Sequence, residues 1–246
     1  MKIGVKTYDN GKFLEYFRKK ADFAEILTIE GRDYEFAKQF SQFLPVIIHA
    51  QHYIFGSNPA DKSKDEGNAS SINFARRIAD STNTKRIILH QGVINNGSSS
   101  EENAVSFIKN LNDKRVLIEN LPKYKDFNCL CTTPEETKEF MKKADVRLCF
   151  DINHAIETAF QAGRDYKELI KEFIKLKPVQ YHLGGQRIKE GIASHRSFQD
   201  SDIDLKEILK LLPKDAEITL ETEPDIEKTD NDLKAIRRVI EEISQN

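Results

Sequence analysis

The segment Val146-Arg147-Leu148-Cys149-Phe150-Asp151-Ile152-Asn153-His154-Ala155 is an apolar run of strand length that ends in an acid and passes straight into a segment of helical period. A strand feeding a helix in this way is half of a parallel βαβ unit. Working outward from it, the same pattern recurs along the 246 residues. Strands are expected at Lys2–Thr7, Phe23–Ile29, Leu44–His49, Arg86–His90, Arg115–Glu119, Val146–Asp151, Val179–His182 and Glu217–Glu221. Between them lie helical stripes: Phe13, Leu14, Phe17 and Ala21; Phe36, Phe40 and Phe43 within 34–43; Ile72, Ala75, Ile78 and Ala79; Ala104, Phe107, Ile108 and Leu111. Thr133-Pro134-Glu135-Glu136 marks a helix start, with a capping hydroxyl, a first-turn proline and acids at the positive end of the dipole. The last stripe, Leu233, Ile236, Val239, Ile240 and Ile243, falls within 230–244. Gly56 to Ser71 reads as a polar loop entering a helix.

Eight strand-then-helix units without a linker predict an α/β fold, a single (β/α)8 TIM barrel spanning residues 1–246. An open doubly wound sheet is the alternative, but the first turn, Thr7-Tyr8-Asp9-Asn10-Gly11, carries neither a GxGxxG nor a GKS/T phosphate loop. The 38 Lys+Arg and 40 Asp+Glu leave a net charge of −2, which excludes capture of nucleic acid by total charge. Three cysteines (Cys129, Cys131, Cys149) are too few for a disulfide framework. No apolar signal core or membrane-length run is present, so a soluble, cytoplasmic monomer that does not engage membranes is expected.

Catalytic residues of such barrels sit at the C-terminal strand ends. Six consecutive expected strands finish in a metal-ligand type: His49, His90, Glu119, Asp151, His182 and Glu221. His52, His154 and His195 lie a turn away or on adjoining loops. A lone strand-terminal histidine is most often a hydrogen-bonded structural residue, and a lone acid is often the cap of the next helix, a role open to Asp151. Six on one face point instead to a shared metal site. Imidazoles and carboxylates without cysteine suit Zn²⁺, Mn²⁺, Fe²⁺ or Co²⁺ better than Mg²⁺ or Ca²⁺. The number of ligands exceeds the needs of one ion, and a carboxylate such as Glu119 can bridge two ions about 3.5–4 Å apart.

In order, Ile48-His49-Ala50-Gln51-His52-Tyr53, Leu89-His90-Gln91-Gly92, Ile118-Glu119-Asn120, Phe150-Asp151-Ile152-Asn153-His154-Ala155, Tyr181-His182-Leu183, Ser194-His195 and Leu220-Glu221-Thr222 resemble the endonuclease IV group of apurinic/apyrimidinic endonucleases (AP endonuclease family 2). That group lies within the xylose-isomerase-like barrel superfamily. The resemblance covers about three quarters of the chain, from the third strand to the eighth. It implies a DNA-repair hydrolase with up to three zinc ions. One would be held by His49 and His90, with Glu119 bridging to a second held by Asp151, His182 and Glu221. A third would be held by His154 and His195. The implied activity is hydrolysis 5′ to an abasic site in double-stranded DNA.

This sequence departs from the pattern in three places. Ala193 stands where the family has a metal-binding aspartate two residues before the histidine, leaving Asp200 or Asp202 to reach in. Val5-Lys6-Thr7 replaces a histidine-bearing first strand, and Gly31-Arg32-Asp33-Tyr34 replaces a longer DNA-probing loop.

The sugar isomerases and epimerases of the same superfamily are the second resemblance. They imply one Mn²⁺ or Co²⁺ on Glu119, Asp151, His182 and Glu221, with both glutamates moving protons on a sugar or sugar phosphate. His154 would then contact the substrate, while His49 and His90 would have no role, which ranks the endonuclease reading first. A degenerate, non-catalytic barrel is the third. Substrate contacts are expected from His52, Tyr53, Arg187, Arg196 and Lys123. Arg187, Lys189 and Arg196 outweigh Glu190 on the 184–197 loop, and Lys123-Tyr124-Lys125 adds two cations and an aromatic.

Overall fold

The computed structural model describes residues 1–124, 127–188 and 192–245, with backbone alone for 192–194. Lys125, Lys189, Glu190 and the Ala193 side chain therefore lie outside the described residues. Eight parallel strands close into a barrel: β1 (Lys2–Thr7), β2 (Phe23–Leu27), β3 (Val46–His49), β4 (Ile87–Leu89), β5 (Val116–Glu119), β6 (Arg147–Asp151), β7 (Gln180–Leu183) and β8 (Glu217–Leu220). Each pairs with its sequence neighbour, and β1 pairs with β8 through Lys2↔Glu217 to Val5↔Leu220. The surrounding helices are α1 (Gly11–Phe17), α2 (Glu35–Phe40), α3 (Asp65–Ser81), α4 (Glu101–Leu111), α5 (Pro134–Ala144), α6 (Ile152–Ala162), α7 (Tyr166–Ile174), α8 (Leu205–Leu211) and α9 (Ile226–Ser244). Among the described residues no helix is long and apolar enough to cross a membrane.

The two-residue period of a strand sorts side chains into two cores. Ile3, Val5, Ala24, Ile26, Ile48, Ile118, Phe150 and Ile218 face outward and pack beneath the helices. Phe23, Ile47, Ile88, Leu117 and Cys149 form a separate cluster. These residues make the barrel floor, and two positions further along their strands stand Glu25, His49, His90, Glu119 and Asp151. Gly4 leaves room for this floor, because a Cβ there would lie 2.2 Å from the Phe23 ring.

Several expected boundaries move by a residue or more. β2 stops at Leu27 rather than Ile29, because the Tyr34 hydroxyl accepts from Ile29 N and donates to Leu27 O, turning the chain. β7 runs on to Leu183, which pairs with Leu220. His90 and Glu221 sit one residue past their strands. Helix α3 starts at Asp65, inside the expected loop, with Asp65 and Glu66 at its positive end and Asn68 tied to the Asn58 backbone. α9 begins at Ile226, four residues before the expected stripe, capped by Asp225. The helix start expected at Thr133 forms, and it is closed by a capping box between Thr133 and Glu136. Two short antiparallel strand pairs lie outside the expected elements: Val93–Ile94 with Asn128–Cys129, and Gly185–Arg187 with Ile192–Arg196. Both flank the C-terminal mouth of the barrel.

Candidate metal centre

The strand-end residues converge. Glu119 Oε2 lies 3.2 Å from His49 Nε2, 3.3 Å from His90 Nε2 and 3.4 Å from His182 Nδ1. Three groups have ligand atoms within 4.8 Å of one another: His49, His90 and Glu119; Glu119, Asp151, His182 and Glu221; Asp151, His154 and His195. Glu119 belongs to the first two and Asp151 to the last two. Cys149 forms a fourth group with Glu119 and His182, and burial pushes its thiol up to about 12.

Four of the imidazoles are each held through one ring nitrogen. Nδ1 of His49 donates to Ala50 O (2.8 Å), Nδ1 of His154 to Asn120 O (2.8 Å) and Nδ1 of His195 to Glu221 O (3.2 Å). His182 is reversed: its Nε2 meets Glu25 Oε2 at 2.8 Å and its Nδ1 faces the cluster. In His49 and His182 one nitrogen is anchored and the other is turned onto Glu119, the arrangement of a ligating histidine, whereas in His154 the nitrogen bonded to Asn120 O is also the one 3.4 Å from Glu119 Oε1. Burial depresses the basicity of His49 and His154, which keeps them neutral and able to ligate. His195 adopts φ 70°, a left-handed conformation. A histidine tolerates this region better than most residues, and the turn carries the ring to 5.4 Å from that of His154.

The side chains that follow the ligands brace the strand ends. Asn120 bonds Asp151 N (2.7 Å) and Asp151 O (2.9 Å), joining β5 to β6. Asn153 does the same for Gly184 N and O, joining α6 to the end of β7. Asp151 serves both readings given to it: Oδ1 caps α6 by accepting from His154 N, while Oδ2 is left for the cluster.

The residues fit a divalent cation on an observation independent of sequence. Asp151 Oδ2, His182 Nδ1 and Glu221 Oε2 are buried without a hydrogen-bond partner. His182 Nδ1 and Glu221 Oε2 approach to 2.6 Å, yet are not aligned to bond each other. Three such atoms around Glu119 are the donor set a cation satisfies. Burial, with repulsion from Glu119 and Glu221 and against the attraction of His195, pushes the Asp151 carboxyl up to about 7. Glu119 is held well below the usual range, despite its burial, by His182 and His90.

Two residues that the strand-end reading passed over complete the ring. Lys6 Nζ is 2.7 Å from Glu221 Oε1 and 3.1 Å from Glu25 Oε1. Burial opposes the charge of Glu25, but His182 and Lys6 pull its carboxyl down to about 2.

A cavity of about 690 Å³ opens on the cluster, with His49, His90, His154, His195 and Glu221 in its wall. His52 and Tyr53 line it, together with Tyr8, Tyr124 and Phe127. His52 stacks on His90 at 4.8 Å, and burial followed by the His90 and His49 charges drives it down to about 2, so it is a neutral ring. Lys123, Arg187 and Arg196 are not brought into this lining; Arg187 Nε donates to Asp200 O. Among the described lining residues Lys64 is the one lysine or arginine. Neither Asp200 nor Asp202, the two alternatives for the aspartate missing at Ala193, joins a candidate ligand group among the described residues; Asp202 accepts from Ile188 N, and Asp151 is the carboxylate beside His154 and His195.

Glu157, one helical turn beyond His154 on α6, keeps Oε2 unpartnered. Burial, then the charge of Asp151, pushes it up to about 7 from an ordinary 4.5. A folded value above the unfolded one removes stability as pH rises through that interval. Glu157→Gln is therefore expected to stabilise the protein by about 1–3 kcal/mol at pH 8 and to change little at pH 5, as read by urea unfolding at both.

The profile of the xylose isomerase-like TIM barrel family matches residues 11–239. No curated protein sequence matches the chain significantly. Among solved structures, a D-tagatose 3-epimerase-like protein superposes with a TM-score of 0.80 at 18% identity, covering 100% of this chain and 99% of that one. Endonuclease IV from Thermus thermophilus gives 0.72 at 16%, covering 98% and 100%. D-psicose 3-epimerase in the presence of D-fructose gives 0.69 at 15%, covering 98% and 99%. At these identities the likeness is one of fold.

Proposed function

We propose, from the premise that the chain belongs to the xylose isomerase-like TIM barrel family, that it is a metal-dependent hydrolase of phosphodiesters, with DNA at abasic sites as its substrate. The observation that carries this reading is the pair His49 and His90, both turned onto the Glu119 oxygen that also faces His182. A centre for one ion needs Glu119, Asp151, His182 and Glu221 and leaves that pair without work. With it, Glu119 is the shared carboxylate of two adjoining sites, the first completed by His49 and His90. His154 and His195, with Asp151, offer a third. The ligand chemistry suits zinc, two or three ions per chain. Such a pair, when bound, supplies an activated water and offsets charge on the attacking and leaving oxygens of an in-line displacement.

The protein's own part is positional. Glu119 and Glu221 hold negative charge at the cluster, His49, His154 and His195 present fixed nitrogens, and the cavity admits the scissile group beside them. Tyr53 and the neutral His52 offer flat faces to an extruded sugar or base.

One observation favours a second reading. The mouth is lined by aromatic and apolar side chains with Lys64 as the one lysine or arginine among the described residues, a wall better suited to a small sugar than to a polyanion. Under it the protein is a sugar or sugar-phosphate epimerase or isomerase using one Mn²⁺ or Co²⁺, with Glu119 and Glu221 exchanging the proton.

Elemental analysis and incision of a duplex bearing one abasic analogue separate the two. Two or three zinc per chain, with incision abolished by His90→Ala, are expected. One manganese or cobalt per chain, no incision, and ketose epimerisation that survives His90→Ala would replace the hydrolase by the epimerase.

A further inference from the structure

Glu25 belongs to none of the candidate ligand groups, yet it is fully buried at the middle of β2. Its Oε2 accepts from His182 Nε2 and from Thr219 Oγ1, each at 2.8 Å. Thr219 Oγ1 in turn accepts from Gln180 Nε2 at 3.0 Å, and Gln180 Oε1 accepts from Arg86 at 2.7 Å. Lys6 Nζ closes the other side, 3.1 Å from Oε1. Side chains from β1, β7 and β8 thus fix one carboxylate. A carboxylate so placed only accepts, so the proton between it and His182 resides on Nε2, which leaves Nδ1 as the ring atom a cation would use. Nδ1 is the atom left without a partner, 2.6 Å from Glu221 and 3.4 Å from Glu119.

We infer that Glu25 is the positioning residue of the metal centre, setting the tautomer and ring angle of His182 so that Nδ1 ligates. This rests on the reading of His182 as a metal ligand, which the hydrolase and the epimerase share. His182 is the exception among the anchored imidazoles. Nδ1 of His49, His154 and His195 donates to a backbone carbonyl, whereas Nε2 of His182 donates to Glu25, a carboxylate outside the candidate ligand groups. A carboxylate in that place also raises the basicity of the ligating nitrogen.

Cobalt binding reads the inference without any assay of activity. Co²⁺ affinity is measured by competition with a chromophoric chelator, and the visible d–d bands report the ligand set. Glu25→Gln keeps the shape and loses the charge. It is expected to weaken Co²⁺ at the His182 site about 10–100-fold and to alter the bands, while metal at His49 and His90 is retained. Glu25→Ala is expected to lose more. A folded Glu25→Gln with wild-type affinity and spectrum would overturn the inference and reduce Glu25 to a counter-ion for Lys6. Should Glu25→Gln not fold, Thr219→Val removes one restraint and keeps the Glu25–Lys6 pair. It is then expected to weaken Co²⁺ several-fold, and an unchanged affinity overturns the inference. Failure of the wild-type chain to bind Co²⁺ rejects the metal reading itself, a result distinct from either.

Discussion

Glu119→Gln is expected to lower kcat/KM by at least about 10³-fold, some 4 kcal/mol of barrier, whichever substrate the protein takes. One oxygen of Glu119 is met by His49, His90 and His182 within 3.4 Å. Among the described residues no other belongs both to the His49–His90 group and to the Asp151–His182–Glu221 group. The amide keeps the shape, but it replaces an oxygen of the candidate ligand set by an NH₂ that cannot bind a cation and removes a negative charge from the proposed metal site. Both adjoining sites are weakened together. His90→Ala, by contrast, touches the first group alone. In an epimerase the same change removes one of the two proton-carrying carboxylates, so the loss is expected there too. Elemental analysis beside kinetics checks the cause: metal per chain should fall with activity while circular dichroism stays that of the wild type. A fully loaded, folded, active Glu119→Gln would end the bridging assignment.

Much of this centre is legible in the sequence because a parallel barrel places functional groups where strands end. Val-Ile-Ile-His49 and Val-Leu-Ile-Glu119 show it plainly: short apolar runs that stop on a residue of metal-ligand type, and the structure puts both side chains in one cluster. The rule works by termination, and it fails where a strand continues past its functional residue. Lys6 is followed by Thr7, still in β1, and Glu25 by Ile26 and Leu27, still in β2. The signal that marks them is alternation. Phe23 and Glu25 share a face, as Ile47 and His49 do, and a charged side chain two positions above a floor residue must point into the barrel.

The loop cations are less legible for a different reason. Arg187 and Arg196 belong to a hairpin whose register no local pattern announces, and the charge count of a loop does not say which way its side chains turn. Tyr53, beside the end of β3 and held in a short 3₁₀ turn, is easier to place because little chain separates it from His49.

Lys6→Met should destabilise the metal-free protein by about 3–5 kcal/mol, because it removes one partner of a buried charge group and leaves the others. The Lys6 side chain is 8% exposed and lies against Glu221 and Glu25. The attraction of Glu221, Glu25 and Glu119 outweighs burial and raises its basicity above the ordinary value. Because the folded value lies above the unfolded one, its contribution is complete throughout the neutral range and fades only in strong alkali. The penalty in the variant should therefore be much the same at pH 6.5 and pH 8.5. A divalent ion bound through Glu221 would supply the missing positive charge. At 100 times its dissociation constant a ligand adds about 2.7 kcal/mol to stability, and the variant should gain more than the wild type, since among the described residues Lys6 is the one lysine or arginine paired with Glu221 and Glu25. Urea unfolding with and without Zn²⁺ measures both gains. Equal gains would show that Lys6 and the metal do not serve the same carboxylates. A larger gain in Lys6→Met would make Lys6 the charge that holds Glu221 and Glu25 in place before the metal arrives.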